Sequence, residues 1–202
     1  MGLSPRGACC IAAAALWAQP AAAQTALVDL SLEELGNVTI TSTAKREQRL
    51  ADAPASLFVI SADDIRRSGV TRLPEALRLA PNLQVAEVYT GGYAISARGF
   101  NANSANKLLV LIDGRSVYTP LFAGVFWDVQ DVVLEDVDRI EVSSGPGSTV
   151  WGVNAVNGVI NIITRKAADT RGTLTSAAAG SRERTGVLRQ GSSLRSCRVC
   201  LT

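Results

Sequence analysis

Histidine is missing from all 202 residues of the chain. Its absence removes the commonest general base, the usual partner of a nucleophilic serine or cysteine, and the commonest transition-metal ligand. Long apolar runs are also missing, since no segment approaches the roughly 18 consecutive apolar residues of a membrane-spanning helix. Membrane residence would therefore require a β-barrel. An excess of one charge is lacking too: 20 Lys and Arg stand against 18 Asp and Glu, interspersed, for a formal net charge of +2. That balance offers no concentrated basic face for nucleic acid. Cysteine is sparse, and Cys9 and Cys10 precede or begin the first apolar run, ahead of where a lipid-anchoring cysteine would stand.

What is present begins with Arg6 ahead of an apolar stretch from Ala8 to Ala18, then Gln19-Pro20 and the small residues Ala21-Ala22-Ala23. This pattern predicts an export signal peptide over residues 1–23. The apolar stretch is too short to cross about 30 Å of hydrocarbon as a helix, and Pro20 disturbs its extension. Removal of this segment leaves Cys197 and Cys200, too few for a disulfide framework in an oxidising compartment. Their spacing resembles half of a zinc site, but a structural zinc takes four ligands, so no metal site is expected.

Residues 24–53 read as a polar extension. A short helical hint at Leu30–Leu35 ends at Gly36, and the β-prone run Val38, Thr39, Ile40, Thr41, Ser42, Thr43, Ala44 follows. No apolar stripe accompanies that run, so it is expected to hang outside the core as an arm, able to pair with another protein's sheet edge. An ordinary linker strand is the alternative.

The globular part is expected over residues 54–166. Leu57–Ile60 reads as a buried strand, and Ser61 caps a helix through Arg67 that Gly69 stops. A second helix is predicted from about Thr71, with Pro74 in its first turn, Leu73, Ala76, Leu77 and Ala80 on one face, and an end before Pro81. Strands are predicted at 83–88, 94–97, 108–112, 139–142 and 159–163, which makes the fold class α+β, with a small mixed β-sheet, short helices and long loops. The irregular stretches Tyr118–Gln130 and Ser143–Asn157 are long enough to imply surfaces that face something else. Residues 167–183 contain a weakly alternating strand at Gly172–Gly180. Residues 184–202 lack any acidic residue and lose periodicity, and an aberrant or disordered tail is expected there.

Catalytic signals are weak throughout. Ser143-Ser144-Gly145-Pro146-Gly147-Ser148-Thr149 lacks the lysine of a phosphate-binding loop and reads as a turn. Asp128, Asp131, Glu135, Asp136, Asp138 and Glu141 do not follow calcium-loop spacing. No catalytic residue and no cofactor are expected.

Four blocks occur in order: Ala94-Ile95-Ser96-Ala97-Arg98-Gly99-Phe100, Leu108-Leu109-Val110-Leu111-Ile112-Asp113-Gly114-Arg115, Val137-Asp138-Arg139-Ile140-Glu141-Val142 and Gly158-Val159-Ile160-Asn161-Ile162-Ile163-Thr164. In order and spacing they resemble the plug domain of TonB-dependent outer-membrane receptors. The resemblance runs from Leu32 to Arg165.

It implies a plug seated in an outer-membrane barrel of about 22 strands, gating uptake of a scarce solute such as a ferric siderophore, another metal chelate or cobalamin. Residues 167–183 then stand where the first barrel strand would start. Fewer than forty residues follow Arg165, enough for one or two strands, so the barrel is expected to be missing or supplied separately. Val38, Thr39, Ile40, Thr41 and Ser42 fall where a TonB box would bind the TonB periplasmic domain. Arg98 matches an arginine that locks plug to barrel, while Ser144 replaces a second such arginine. Tyr93, Tyr118, Phe122, Phe126 and Trp127 fall on loops that face ligand in the family, where packing is the competing role for each ring. The implied location is the cell outer membrane of a Gram-negative bacterium, or the periplasm if the barrel is truly absent. A free periplasmic binding module and a non-functional gene fragment remain as alternatives.

Overall fold

The computed structural model describes residues 39–40, 48–49, 52, 56–104, 107–180, 184–193 and 198–201. Its centre is a five-stranded mixed sheet built from β3 (Ser56–Ser61), β6 (Leu108–Ile112), β7 (Arg115–Ser116), β8 (Val137–Ser144) and β9 (Gly158–Thr164), in the order β3-β8-β9-β6-β7. β8 runs antiparallel to both β3 and β9, whereas β6 and β9 are parallel. A separate hairpin joins β4 (Gln84–Tyr89) to β5 (Gly92–Ser96). Three helices are short: α1 (Ala62–Ser68), α2 (Leu73–Ala76) and α3 (Ser148–Trp151).

The side-chain period of two along a strand gives the sheet two different faces. One face carries Leu108, Val110, Ile140, Val142, Ile160 and Ile162, all buried, and packs on Ile65, Leu73, Leu77, Ile95 and Trp127. The other carries Leu109, Leu111 and Val159 against Ala155 and Trp151. On that second face Glu141 stands directly opposite Asn161, both buried, and Arg139 Nε donates to Glu141 Oε1 at 2.9 Å. A buried carboxylate is tolerable because it is hydrogen-bonded to a cation.

Local chemistry explains where elements stop. Ser61 Oγ accepts from Asp64 N while Asp64 Oδ2 accepts from Ser61 N, a reciprocal capping box, and Gly69 ends α1 at φ 67°. The second predicted helix is shorter than its pattern: after Ala76 the chain tightens into a 3-10 turn over Leu77–Leu79. Proline disfavours helical geometry at the residue before it, and Ala80, preceding Pro81, is extended. Asp113 and Gly114 both take positive φ, the geometry of a two-residue turn between β6 and β7. The Asp113 carboxylate also accepts from Thr164 N and Oγ1, both at 2.8 Å, which ties that turn to the end of β9.

Two regions differ from the expectations. Within the expected tail, the described residues are strand: β11 (Arg184–Ser193) and β12 (Arg198–Leu201), which together with the preceding β10 (Gly172–Ala179) form an antiparallel sheet. β10 and β11 pair at eight consecutive positions from Gly172↔Gly191 to Ala179↔Arg184. Backbone pairing does not require strongly apolar side chains, which is why the weak periodicity was a poor guide. Further, β1 (Thr39–Ile40) pairs with β2 (Gln48–Arg49), and Ile40 is fully buried rather than carried on a free arm. The signal-peptide segment and Val38, Thr41 and Ser42 lie outside the described residues. Among the described residues no helix is long and apolar enough to cross a membrane, a statement that does not bear on β-barrels.

Candidate functional site

Two connections converge beside the central sheet. The β4–β5 turn occupies Thr90 and Gly91, and a side chain at Gly91 would sit 3.9 Å from Asp128 Cβ. Asp128 belongs to the 3-10 turn Trp127–Val129 that ends the long loop after β7, and this turn contacts β5. The Tyr89 ring folds over Gly92, so that a Cβ there would lie 2.2 Å from the ring and would turn this exposed side chain aside. The loop from 118 to 126 closes on itself through Thr119 and Gly124, whose backbones exchange hydrogen bonds of 2.9 and 3.3 Å. This closure forces Leu121 and Phe122 outward at the tip.

The five aromatic candidates divide. Tyr93 and Trp127 are core residues, 4% and 7% exposed, so their rings are committed to packing rather than to a ligand. Tyr93 lies on β5, whose five residues are all buried, and Trp127 follows the extended Phe126 into the same core. Tyr118 and Phe126 are half-buried, and Phe122 is 56% exposed. Phe126 holds Phe122 edge-on, with ring centroids 5.0 Å apart and planes at 85°. The sequence reading missed Tyr89, Leu121 and Val129, which are exposed on the same pair of connections. Tyr89 was legible from the following Gly91-Gly92, which leaves room for a ring to fold over the turn. Leu121, at 79% exposure, carries no such signal.

Burial pushes the Tyr93 hydroxyl above its ordinary pKa, and the nearby carboxylates Glu75 and Glu87 push it further, against the opposing pull of Arg72 and Arg78. The hydroxyl points at Glu75 Oε1, 3.5 Å away, which links β5 to α2.

At another end of the sheet, where β6 and β9 begin, the chain carries Arg98. Arg98, Gly99 and Phe100 all have positive φ, at 57°, 88° and 59°. Left-handed geometry costs a non-glycine residue roughly 1–2 kcal/mol, so this turn is held by its surroundings. It leaves Arg98 exposed and Phe100 outward, with Lys107 Nζ 5.3 Å from the Phe100 ring centroid. Beside Lys107 the 145–157 connection is fastened: Val156 N and Asn157 N both donate to Lys107 O, at 3.1 and 2.8 Å. Val150, Val153 and Val156 remain exposed on it. Gly158 permits the crossing beneath, since a Cβ there would be 2.4 Å from Ser143 O. Ser144, where the resemblance places a second arginine, is buried at the end of β8.

Comparison with known proteins bears on the family and the fold. Residues 49–159 match the family described as TonB-dependent Receptor Plug Domain. The chain is 34% identical over 148 residues to the vitamin B12 transporter BtuB of Vibrio vulnificus, covering 72% of this chain and 23% of that protein. It is also 34% identical over 161 residues to the ferric enterobactin receptor PirA of Pseudomonas aeruginosa, covering 72% and 21%. In both cases the chain spans less than a quarter of the relative's own length. Among solved structures, the ferripyoverdine receptor of the Pseudomonas aeruginosa outer membrane aligns with a TM-score of 0.61 at 20% identity, over 79% of this chain and 20% of that one. The ferric-catecholate import receptor Fiu of E. coli aligns with a TM-score of 0.55 at 26% identity, over 77% and 22%. On the match over residues 49–159 and the shared fold, the chain belongs to the TonB-dependent receptor plug domain family.

Proposed function

We propose that this chain is the plug of an energy-coupled outer-membrane receptor, occluding a barrel and gating uptake of a scarce solute, with a ferric siderophore or cobalamin as the solute class. The observation that carries the reading is the convergence of the Tyr89–Gly92 turn with the Tyr118–Val129 loop, apolar side chains outward, on a plug fold. The names of the relatives, a vitamin B12 transporter and a ferric enterobactin receptor, support the solute class. No reaction is catalysed in this reading. The working location is the outer membrane.

Within it, Tyr118, Phe122 and Phe126 contact solute together with Tyr89 and Leu121, while Tyr93 and Trp127 hold their loops in place. Arg98 pairs with carboxylates of the barrel wall, where a guanidinium can bind both oxygens. The exposed Val150, Val153 and Val156 press on the same wall. The segment Val38–Ser42 presents a strand to the TonB periplasmic domain. β1 is paired on one side with β2 alone among the described residues, and an incoming strand would add to its other edge.

The test measures two things on the chain. Pull-down by the TonB periplasmic domain should be lost when residues 38–44 are deleted. Equilibrium dialysis against cobalamin and a ferric catecholate separates a plug from a free module, since a plug needs its barrel for tight binding. Unchanged pull-down after the deletion defeats the coupling claim, and tight unaided binding favours the free module.

A further inference from the structure

The two connections that converge beside the sheet share a second property besides their outward apolar side chains. Residues 84–93 and 117–131 hold three carboxylates, Glu87, Asp128 and Asp131, and no lysine or arginine. All three are exposed, and none is ion-paired among the described residues.

Two of the three meet at the point of convergence. Gly91 N donates to Glu87 Oε1 at 3.4 Å, and a Cβ on Gly91 would be 3.9 Å from Asp128 Cβ, so the turn lies between the two acidic residues. Tyr89 stands two positions before this glycine and Val129 directly follows Asp128, both exposed. Negative charge and apolar surface are therefore interleaved where the connections touch. The cations of neighbouring elements are engaged elsewhere. Arg72 and Arg78 lie on the α2 side of the hairpin near the Tyr93 hydroxyl, and Arg78 pairs there with Glu75 at 3.9 Å. Lys107 Nζ lies over the Phe100 ring, and Arg98 belongs to the barrel contact proposed above.

We propose that Asp128 and Glu87 make this surface selective by charge. It takes an apolar-edged metal chelate without net negative charge, one that offers hydrogen-bond donors or positive charge to the two carboxylates. It rejects a trianionic chelate such as a ferric catecholate, because like charges brought together across a contact suppress the wrong partner. This selectivity rests on the reading of the two connections as the solute surface, and it narrows the solute class given there.

Paramagnetic broadening of amide signals, recorded on the whole chain, tests it, because ferric iron broadens the lines of nearby residues even when contact is weak. The probes are two ferric chelates of similar size at low salt, an uncharged trihydroxamate and a trianionic tricatecholate. The uncharged probe should broaden amides of residues 88–92 and 118–131, and the trianion should need about threefold higher concentration or more for the same effect. Asp128→Asn combined with Glu87→Gln, which keeps an acceptor for Gly91 N, should erase most of that difference and leave the response to the uncharged probe unchanged. Asp128→Lys should favour the trianion, and added salt should shrink every difference. Equal broadening by both probes in the parent chain, or a difference that the substitutions leave in place, overturns the charge selection and leaves the solute surface standing. Broadening by neither probe in the two segments defeats the solute surface itself, and this selectivity with it.

Discussion

The central sheet and the loop pair beside it use the same kinds of side chain for opposite purposes. In the sheet, Ile140, Ile160, Ile162 and Val110 are buried among neighbours from several elements. In the loops, Tyr89, Leu121, Phe122 and Val129 are exposed, although they are no less apolar. The strands satisfy their backbone groups by pairing and their side chains by layering. The loops are held by a few hydrogen bonds and by two buried anchors, Tyr93 and Trp127, and expose the rest. Apolar surface left outside a folded domain marks a place of contact. The difference teaches that an aromatic residue here is assigned by the direction of its backbone and not by its type.

That comparison breaks most severely at Ile160, which is fully buried on the main core face. Ile160→Ala should lower the unfolding free energy by about 2–5 kcal/mol, read as a shifted urea midpoint with a similar slope. A smaller loss would mean the site collapses around the gap. Gly158→Ala should cost about 1–3 kcal/mol, because its methyl would meet Ser143 O and must displace the β8–β9 ladder. A neutral result would show that this crossing is looser than its geometry.

The loop side should respond in the reverse manner. Phe122→Ala and Leu121→Ala should change stability by no more than about 0.5 kcal/mol, while weakening solute contact in a receptor that includes the barrel. Substantial unfolding in either would make them packing residues, and unaltered uptake would remove them from the ligand surface.

The smallest effect concerns pH. Because Tyr93 has a raised pKa in the folded chain, its stabilising contribution is complete below the unfolded value of 10.0 and is lost as pH rises through the folded one. Tyr93→Phe should therefore lose less stability than the parent chain as pH rises above 10.0, measured by urea midpoints at each pH. Parallel curves for the two proteins would place the hydroxyl in water.

Much of the sheet was legible from sequence. Leu108–Ile112 is a short apolar run bounded by turn residues, and the strand occupies those same five positions. Ser61 with Asp64, and Gly69 eight residues after Ser61, announce α1 through local hydrogen-bond chemistry. The shortened second helix was less legible, since the pattern of apolar spacing persists through a 3-10 turn. β11 was hidden because its stabilising partner, β10, is a separate stretch of chain and its own residues carry little periodicity. For the loops, the sequence singled out two segments that the fold brings together, but not which of their rings point inward.

The amino-acid sequence alone determined the α+β class, the strand and cap positions, and the four ordered blocks on which the family resemblance rests. These are local matters, decided by backbone propensity, side-chain spacing and the special conformations of glycine and proline. Tertiary structure alone decided that Tyr93 and Trp127 face the core while Phe122 and Leu121 do not, and that Arg189 meets Asp136 across 53 positions of chain. Such facts depend on where distant backbones cross, and no local interaction specifies that.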